Sequence, residues 1–81
     1  MRESAPGERG EPPVVVPAAV LEGLKAVMLS GKANMLDHRM VQSWALRMGH
    51  VETVLWIEHN PLVYERGVFV GFVAGPEEGE G

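Results

Sequence analysis

Apolar residues recur at intervals of three and four positions after Pro17, and this period predicts an amphipathic helix. The apolar stripe comprises Val20, Leu21, Leu24, Val27 and Met28. Pro17 suits the first turn of a helix, where a missing N–H leaves no hydrogen bond unmade. Gly31 suits the left-handed conformation that often ends a helix, so this helix is predicted to end at Ser30-Gly31. Gly23 weakens the helix and is a candidate point for close approach of another backbone.

A second helix is predicted from His38 to Met48. Asp37 suits its N-cap position, since a carboxylate accepts hydrogen bonds from first-turn N–H groups, and Gly49 suits its end. The predicted apolar face comprises Val41, Trp44, Ala45 and Met48. The predicted outward face carries Arg39, Gln42, Ser43 and Arg47.

A third helix is predicted from Val51 to Glu58, with Glu52 placed favourably in its first turn, near the positive end of the helix dipole. The predicted inward residues are Val54, Leu55 and Ile57. Trp56 is a candidate to be shared with a partner surface. The predicted outward residues are Glu52, Thr53, Glu58 and His59.

Asn60-Pro61 predicts the start of a fourth element, because proline favours the first helical position. Leu62 to Arg66 is predicted to be helical. The stretch from Val68 to Val73 stays open between helix and strand, since its β-branched and aromatic residues favour extended structure but short apolar runs cannot be assigned by periodicity. The predicted fold class is therefore all-α: a small bundle of three to four short helices, with the last element a helix or a short strand.

The ends of the chain differ from its middle in composition. Residues 1–13 and 75–81 are dominated by Pro, Gly and Glu, so both are predicted to be disordered tails, and residues 14–74 form the single domain. The formal net charge of −4 belongs to the tails, because acids and bases balance between Pro17 and Ala74. A domain this small is marginal alone, so a homo-oligomer is expected. Without cysteine, a signal peptide or a long apolar run, the expected location is cytoplasmic, away from membranes.

Candidate catalytic and metal-binding residues are sparse. His38, His50 and His59 lack the four-residue spacing of a helical zinc pair and are predicted to be surface residues at helix ends. The hydroxyl groups of the domain belong to Ser30, Ser43, Thr53 and Tyr64, and no glycine elbow flanks them. We therefore expect a non-enzymatic protein without a metal or cofactor.

The turn at Gly49 between two short helices is similar to a helix-turn-helix, which makes DNA a candidate partner. The helix after the turn would read the bases, but it carries Glu52 and Glu58, which repel phosphates. Two core helices joined by a short turn are therefore the favoured interpretation. If DNA binds, the phosphate contacts are expected from Arg39, Arg47 and Lys32.

Tryptophan and methionine are the main candidates for a binding surface. Methionine adapts to irregular apolar partners, and a core of this size does not easily enclose two tryptophans. Core filling is the favoured role for most of these residues, and the alternative is an apolar patch for a partner formed by Trp44, Trp56, Met35, Met40 and Met48. Binding residues for a protein or an anion are predicted to be Trp44, Trp56, Met40, Arg39, Arg47 and Arg66.

Several short motifs together carry a family resemblance. They are Asn34-Met35-Leu36-Asp37, Val41-Gln42, Ala45, Gly49, Trp56-Ile57-Glu58 and Tyr64. This pattern, spread over Val16 to Phe72, resembles a family of very short proteins of bacteriophages, prophages and their hosts that share an Asn-Met-Leu/Phe-Asp motif and form a domain of unknown function. The resemblance implies no activity and transfers no catalytic residue. It favours a phage-related accessory protein that acts by binding.

Three hypotheses follow for the function. The first is a phage or prophage accessory factor that binds a protein partner through the tryptophan and methionine surface. The second is a helix-turn-helix-like DNA-binding regulator. The third is an oligomer that sequesters a small anionic, nucleotide-like ligand between subunits through Arg39, Arg47 or Arg66.

Overall fold

Four short helices form the body of the protein, and two three-residue strands join the two ends of the domain. The computed structural model describes residues 11–75, so most of the two predicted tails, residues 1–13 and 75–81, lies outside the described residues. The helices are α1 (Ala18–Ser30), α2 (His38–Arg47), α3 (Val51–His59) and α4 (Pro61–Val70), and the strands are β1 (Val14–Val16) and β2 (Phe72–Ala74). The predicted small helical bundle is confirmed, and its last element is a strand.

The predicted end of α1 and the predicted cap and stop of α2 are confirmed by local geometry. The Asp37 carboxylate accepts a hydrogen bond from the Met40 N–H at 3.2 Å, which caps α2. Gly31 follows α1 with φ +69°, and Gly49 separates α2 from α3 with φ +87°. Residues with a Cβ atom rarely adopt a positive φ, whereas glycine does so without a steric clash. Both glycines therefore end their helices.

The core lies where α1, α2 and α3 meet, with α4 and β1 closing it. Its buried residues are Val16, Val20, Leu24, Val27, Val41, Ala45, Ile57 and Tyr64. Three predicted inward residues are instead exposed: Met28 is 53% exposed, Leu55 is 51% exposed and Met48 is 37% exposed. Met28 and Leu55 each lie next to a buried position but on the side of the helix that no other element covers. The predicted apolar stripes therefore identify the buried side of each helix, but the buried side is narrower than the stripes.

Helices α1 and α3 approach each other closely at Gly23 and Thr53. A Cβ atom at Gly23 would overlap Thr53 Oγ1 and would lie 2.8 Å from His50 Cβ. The predicted close approach is confirmed, although the approaching group is a side chain rather than a backbone. The prediction that Thr53 faces outward is wrong: Thr53 is fully buried, and its hydroxyl donates to the Val20 carbonyl at 3.1 Å. That bond satisfies the buried hydroxyl, and the missing Cβ at Gly23 leaves room for it.

The two strands pair in parallel, with Val14 opposite Phe72 and Val16 opposite Ala74. The periodicity gave no prediction of β1, although three consecutive valines favour extended structure. In the ambiguous stretch, α4 continues to Val70, four residues past the predicted end, and the chain then turns at Gly71 into β2. No helix between residues 11 and 75 is long and apolar enough to cross a membrane.

We expect Gly23→Ala to destabilise the protein, although alanine favours an isolated helix over glycine by about 1 kcal/mol. The added methyl group meets Thr53, so the free energy of unfolding should fall by about 1–3 kcal/mol in chemical denaturation. Thr53→Ala removes the overlapping hydroxyl, and the double variant should therefore lose less than the sum of the two single losses. A Gly23→Ala variant more stable than the wild type would contradict the close contact.

Candidate functional site on the outer face of α2

A stripe of large apolar side chains runs along α2 beside its buried face. Met40, Trp44 and Met48 are spaced four residues apart, which places them on one side of the helix and its C-cap. Met40 is 40% exposed and Met48 is 37% exposed, while Trp44 is half-buried against the core. The stripe is therefore an apolar surface, and its central residue, Trp44, is fixed by packing against the core.

Two cations flank Trp44. Lys32 Nζ lies 5.4 Å from the centroid of the indole ring, and Arg47 Cζ lies 5.1 Å from it. Both distances fall within the range of cation–π attraction. This attraction engages the ring face and leaves the ammonium and guanidinium N–H groups able to bind an anion. We call the group formed by Lys32, Met40, Trp44, Arg47 and Met48 the α2 site.

The loop that carries Lys32 is fixed at both ends. The Ser30 hydroxyl accepts a hydrogen bond from the Lys32 N–H at 3.1 Å. Further along, Asn34 Oδ1 accepts from the Leu36 N–H at 2.9 Å, and Asp37 then caps α2. These local bonds set the path of residues 31–37 and so place Lys32 beside the indole.

Tyr64 of α4 forms a hydrogen bond with the middle of the same loop. Its hydroxyl donates a hydrogen bond to the Met35 carbonyl, and its ring stacks on Phe72 with centroids 5.7 Å apart. Tyr64 is only 1% exposed, and this burial raises its pKa from 10.0 to about 12. The neutral phenol is therefore the form that the fold requires.

The α2 site lies in the basic part of the domain. Residues 31–50 contain Lys32, Arg39 and Arg47 against Asp37. The following residues 51–70 reverse this balance with Glu52, Glu58 and Glu65 against Arg66. The segment that carries α2 is therefore net basic, and the segment that carries α3 and α4 is net acidic.

The other predicted binding residues have different surroundings. Trp56 of α3 packs edge-on against Phe72, with ring centroids 6.2 Å apart, so much of its surface serves internal packing. Arg66 is exposed on α4. Arg39 lines a polar cleft of about 400 Å³ with His38, Gln42, Ile57, Glu58 and Pro61.

Gln42 fixes the wall of this polar cleft. Its Nε2 donates to the Val54 carbonyl at 3.1 Å and to Glu58 Oε1 at 3.0 Å. The carboxylate of Glu58 lowers the attraction of the cleft for an anion, although Arg39 lines it too. The α2 site, which combines cations with an aromatic ring, is the stronger candidate for an anionic partner.

An apolar groove of about 280 Å³ lies between α1 and the junction of α4 with β2. Leu21, Met28 and Met35 line it with Val68 and Phe72. The groove has no arrangement of charges comparable to that around Trp44, so it offers less to identify a partner.

The three histidines lie at helix ends, as predicted. His38 begins α2, His50 precedes α3, and His59 ends α3. The His59 Nδ1 atom lies 2.9 Å from the Leu55 carbonyl. Among the described side chains, no group of three His, Asp or Glu residues could hold a metal ion.

Sequence reasoning missed two residues of this arrangement. Lys32 was considered only as a phosphate contact in a DNA complex, yet it flanks Trp44. Tyr64 was considered as a hydroxyl candidate and as part of the family resemblance, yet it also holds the loop next to the site. The tyrosine of the family resemblance was a signal for a structural role, whereas nothing in the local sequence indicated that Lys32 meets Trp44.

Comparison with protein-family models, curated proteins and solved structures finds no match to this chain. The resemblance of Asn34 to Asp37 and its neighbours to small phage proteins therefore stays a prediction.

We expect Tyr64→Phe to lower the free energy of unfolding by about 1–3 kcal/mol, because the part-buried Met35 carbonyl loses its hydrogen-bond partner. The substitution should also remove the contribution of Tyr64 to the pH dependence of the free energy of unfolding. The raised pKa of Tyr64 means that the folded state keeps a proton that the unfolded state releases near pH 10. The contribution of this group is therefore fully present below pH 10 and is lost as the pH rises through about 12.

Denaturant titrations between neutral and alkaline pH measure this effect. The stability of the wild type should fall more steeply than that of Tyr64→Phe above pH 10, where the unfolded tyrosine ionises. Equal slopes for the two proteins would show that Tyr64 is not held in its neutral form.

Proposed function

We propose that the protein is a non-enzymatic accessory factor that binds an acidic, partly apolar segment of a protein partner through the α2 site. The observation that carries the proposal is the pair of cations, Lys32 and Arg47, placed on the indole of Trp44 between two exposed methionines. The bound segment needs apolar side chains for the stripe and carboxylates for the cations.

The apolar part of the α2 site supplies the affinity in this proposal. Tryptophan and arginine are enriched among the residues that dominate binding energies. Met40 and Met48 can adjust to different apolar side chains, because the thioether chain is flexible and polarisable. Burial of this surface is worth about 25 cal/mol for each Å² of apolar area removed from water.

The cations supply orientation and selectivity. Contact with the indole restricts Lys32 and Arg47 before binding, so less side-chain entropy is lost when a carboxylate arrives. Opposite charges also raise the association rate and disfavour basic partners. The uneven charge along the domain supports an acidic partner, because the segment that carries α2 is net basic while the segment that carries α3 and α4 is net acidic.

The charges and the exposed apolar side chains of the domain also favour a protein segment over DNA and over a nucleotide-like anion. A DNA duplex would have to approach α3, whose exposed side carries Glu52 and Glu58. A nucleotide-like anion could use Lys32 and Arg47, but it would leave the exposed methionines without a partner. The resemblance to small phage proteins is the support for an accessory role.

Isothermal titration with designed peptides tests the proposal. The probe is a peptide that alternates glutamate and leucine, and its control replaces every glutamate with lysine. We expect the acidic peptide to bind with an affinity that falls as salt is added, because the contacting charges are exposed. The lysine peptide should not bind.

Charge reversal locates the binding surface. Combined Lys32→Glu and Arg47→Glu should weaken binding of the acidic peptide at least about tenfold, or about 1.4 kcal/mol. The matched control reverses Lys25 of α1 and Arg66 of α4, which are exposed cations outside the α2 site. That control should retain most of the affinity, since it makes the same change in net charge.

Three outcomes would contradict the proposal. Equal losses in the two double variants would mean that only net charge matters. Tighter binding of a labelled DNA duplex than of the peptide would favour the DNA-binding regulator, and tighter binding of a mononucleotide would favour the ligand-sequestering oligomer.

A further inference from the structure

The hydrogen-bond ladder between β1 and β2 defines which backbone groups face outward. The Val14 N–H donates to the Gly71 carbonyl at 2.8 Å, and the Gly75 N–H donates to the Val16 carbonyl at 2.8 Å. In a parallel pair, the backbone groups of alternate residues point to opposite sides of the strand. The ladder therefore uses positions 14 and 16 of β1 and positions 71, 73 and 75 around β2.

The outer edge of β1 is closed by proline. Positions 13, 15 and 17 point to this edge, and Pro13 and Pro17 have no N–H group to donate. Only the Val15 N–H remains between them. Proline is one of the features by which natural sheets prevent an edge strand from pairing with another chain.

The outer edge of β2 is less protected: it has two consecutive edge-facing N–H groups, at Phe72 and Ala74, and a proline only on one side, Pro76, which follows the strand in the sequence. The N–H and C=O groups of Phe72 and Ala74 point to this edge, and no backbone group of residues 11–75 outside the ladder bonds to them. The stretch from Gly67 to Gly75 contains no charged residue and no proline. This edge can therefore accept a further strand.

We propose that the open edge is a dimerisation surface, on which β2 pairs antiparallel with β2 of a second copy of this chain. The arrangement is self-complementary. With a two-fold axis beside Val73, Phe72 of each copy lies opposite Ala74 of the other copy, and each such pair exchanges both its N–H···O hydrogen bonds. The result is a four-stranded sheet with the proline-guarded β1 strands at its two edges.

The outer face of the sheet supports a second copy as the occupant. Val15 is 61% exposed and Val73 is 40% exposed on the face turned away from Phe72. Pairing places Val73 directly against its symmetry mate, and no charge lies on either strand to repel the other copy. A two-stranded sheet is marginal by itself, so the added strands stabilise what each chain alone holds weakly.

This surface is independent of the α2 site. It uses β2 and its backbone groups, whereas the proposed peptide site uses side chains of α2 and the loop before it. Loss of dimerisation with peptide binding intact, or the reverse, would therefore separate the two proposals.

Sedimentation velocity over a range of protein concentrations tests dimerisation. The wild-type chain should shift from monomer to dimer as its concentration rises. Ala74→Pro removes an N–H from the open edge without removing a ladder bond, so the dimer should be lost. Val15→Pro removes the equivalent N–H from the β1 edge and should leave the dimer intact.

A second pair of variants keeps the test decisive if proline disturbs folding. Val73→Glu places two carboxylates against each other at the two-fold axis, and we expect the dissociation constant to rise at least about tenfold. Val15→Glu adds the same charge one strand further from the axis and should have a much smaller effect. Circular dichroism shows whether each variant is folded.

A wild-type chain that stays monomeric at its highest soluble concentration would overturn the proposal. A dimer that persists with an unchanged dissociation constant in folded Val73→Glu would also overturn it, because the copies would then associate through another surface.

Discussion

The buried phenol of Tyr64 is the contact on which the rest of the structure depends. Its hydroxyl holds the Met35 carbonyl, and its ring stacks on Phe72. One side chain thus connects α4 to the loop before α2 and to β2. In a domain with so few buried residues, helix propensity contributes little without tertiary packing. The α2 site and the strand edge therefore both depend on this neutral phenol.

Two exposed surfaces of different chemistry result from this arrangement. The α2 site offers cations and apolar side chains, and it suits a partner that brings carboxylates. The edge of β2 offers backbone groups without charge, and it suits an identical strand. The acidic residues Glu52, Glu58 and Glu65 belong to neither surface, and the like charge disfavours binding of an acidic segment next to them. A dimer would present two α2 sites at once, which favours a partner with repeated segments.

The helices could be predicted because their signals are local. Asp37, Gly31 and Gly49 determine helix ends through their own backbone or cap geometry, and the period of the apolar residues identifies the buried side. The partners in contacts between elements could not be predicted, although Gly23 indicated that some group approaches α1 closely. Thr53 is buried only because Gly23 of a distant helix leaves room for it. Likewise, β1 is a strand only because β2 pairs with it, and Lys32 meets Trp44 only because the loop between them is fixed.

Chemical-shift mapping by NMR tests the central claim most directly. Titration of the labelled wild-type chain with the alternating glutamate–leucine peptide should shift the Trp44 indole N–H and the amides of Lys32, Arg47 and Met48 together, with one affinity. The Trp56 indole, which packs on Phe72, should move little and serves as the internal reference. Shifts centred on α3 or on Trp56, or no shifts at all, would contradict the claim that the α2 site binds an acidic partner.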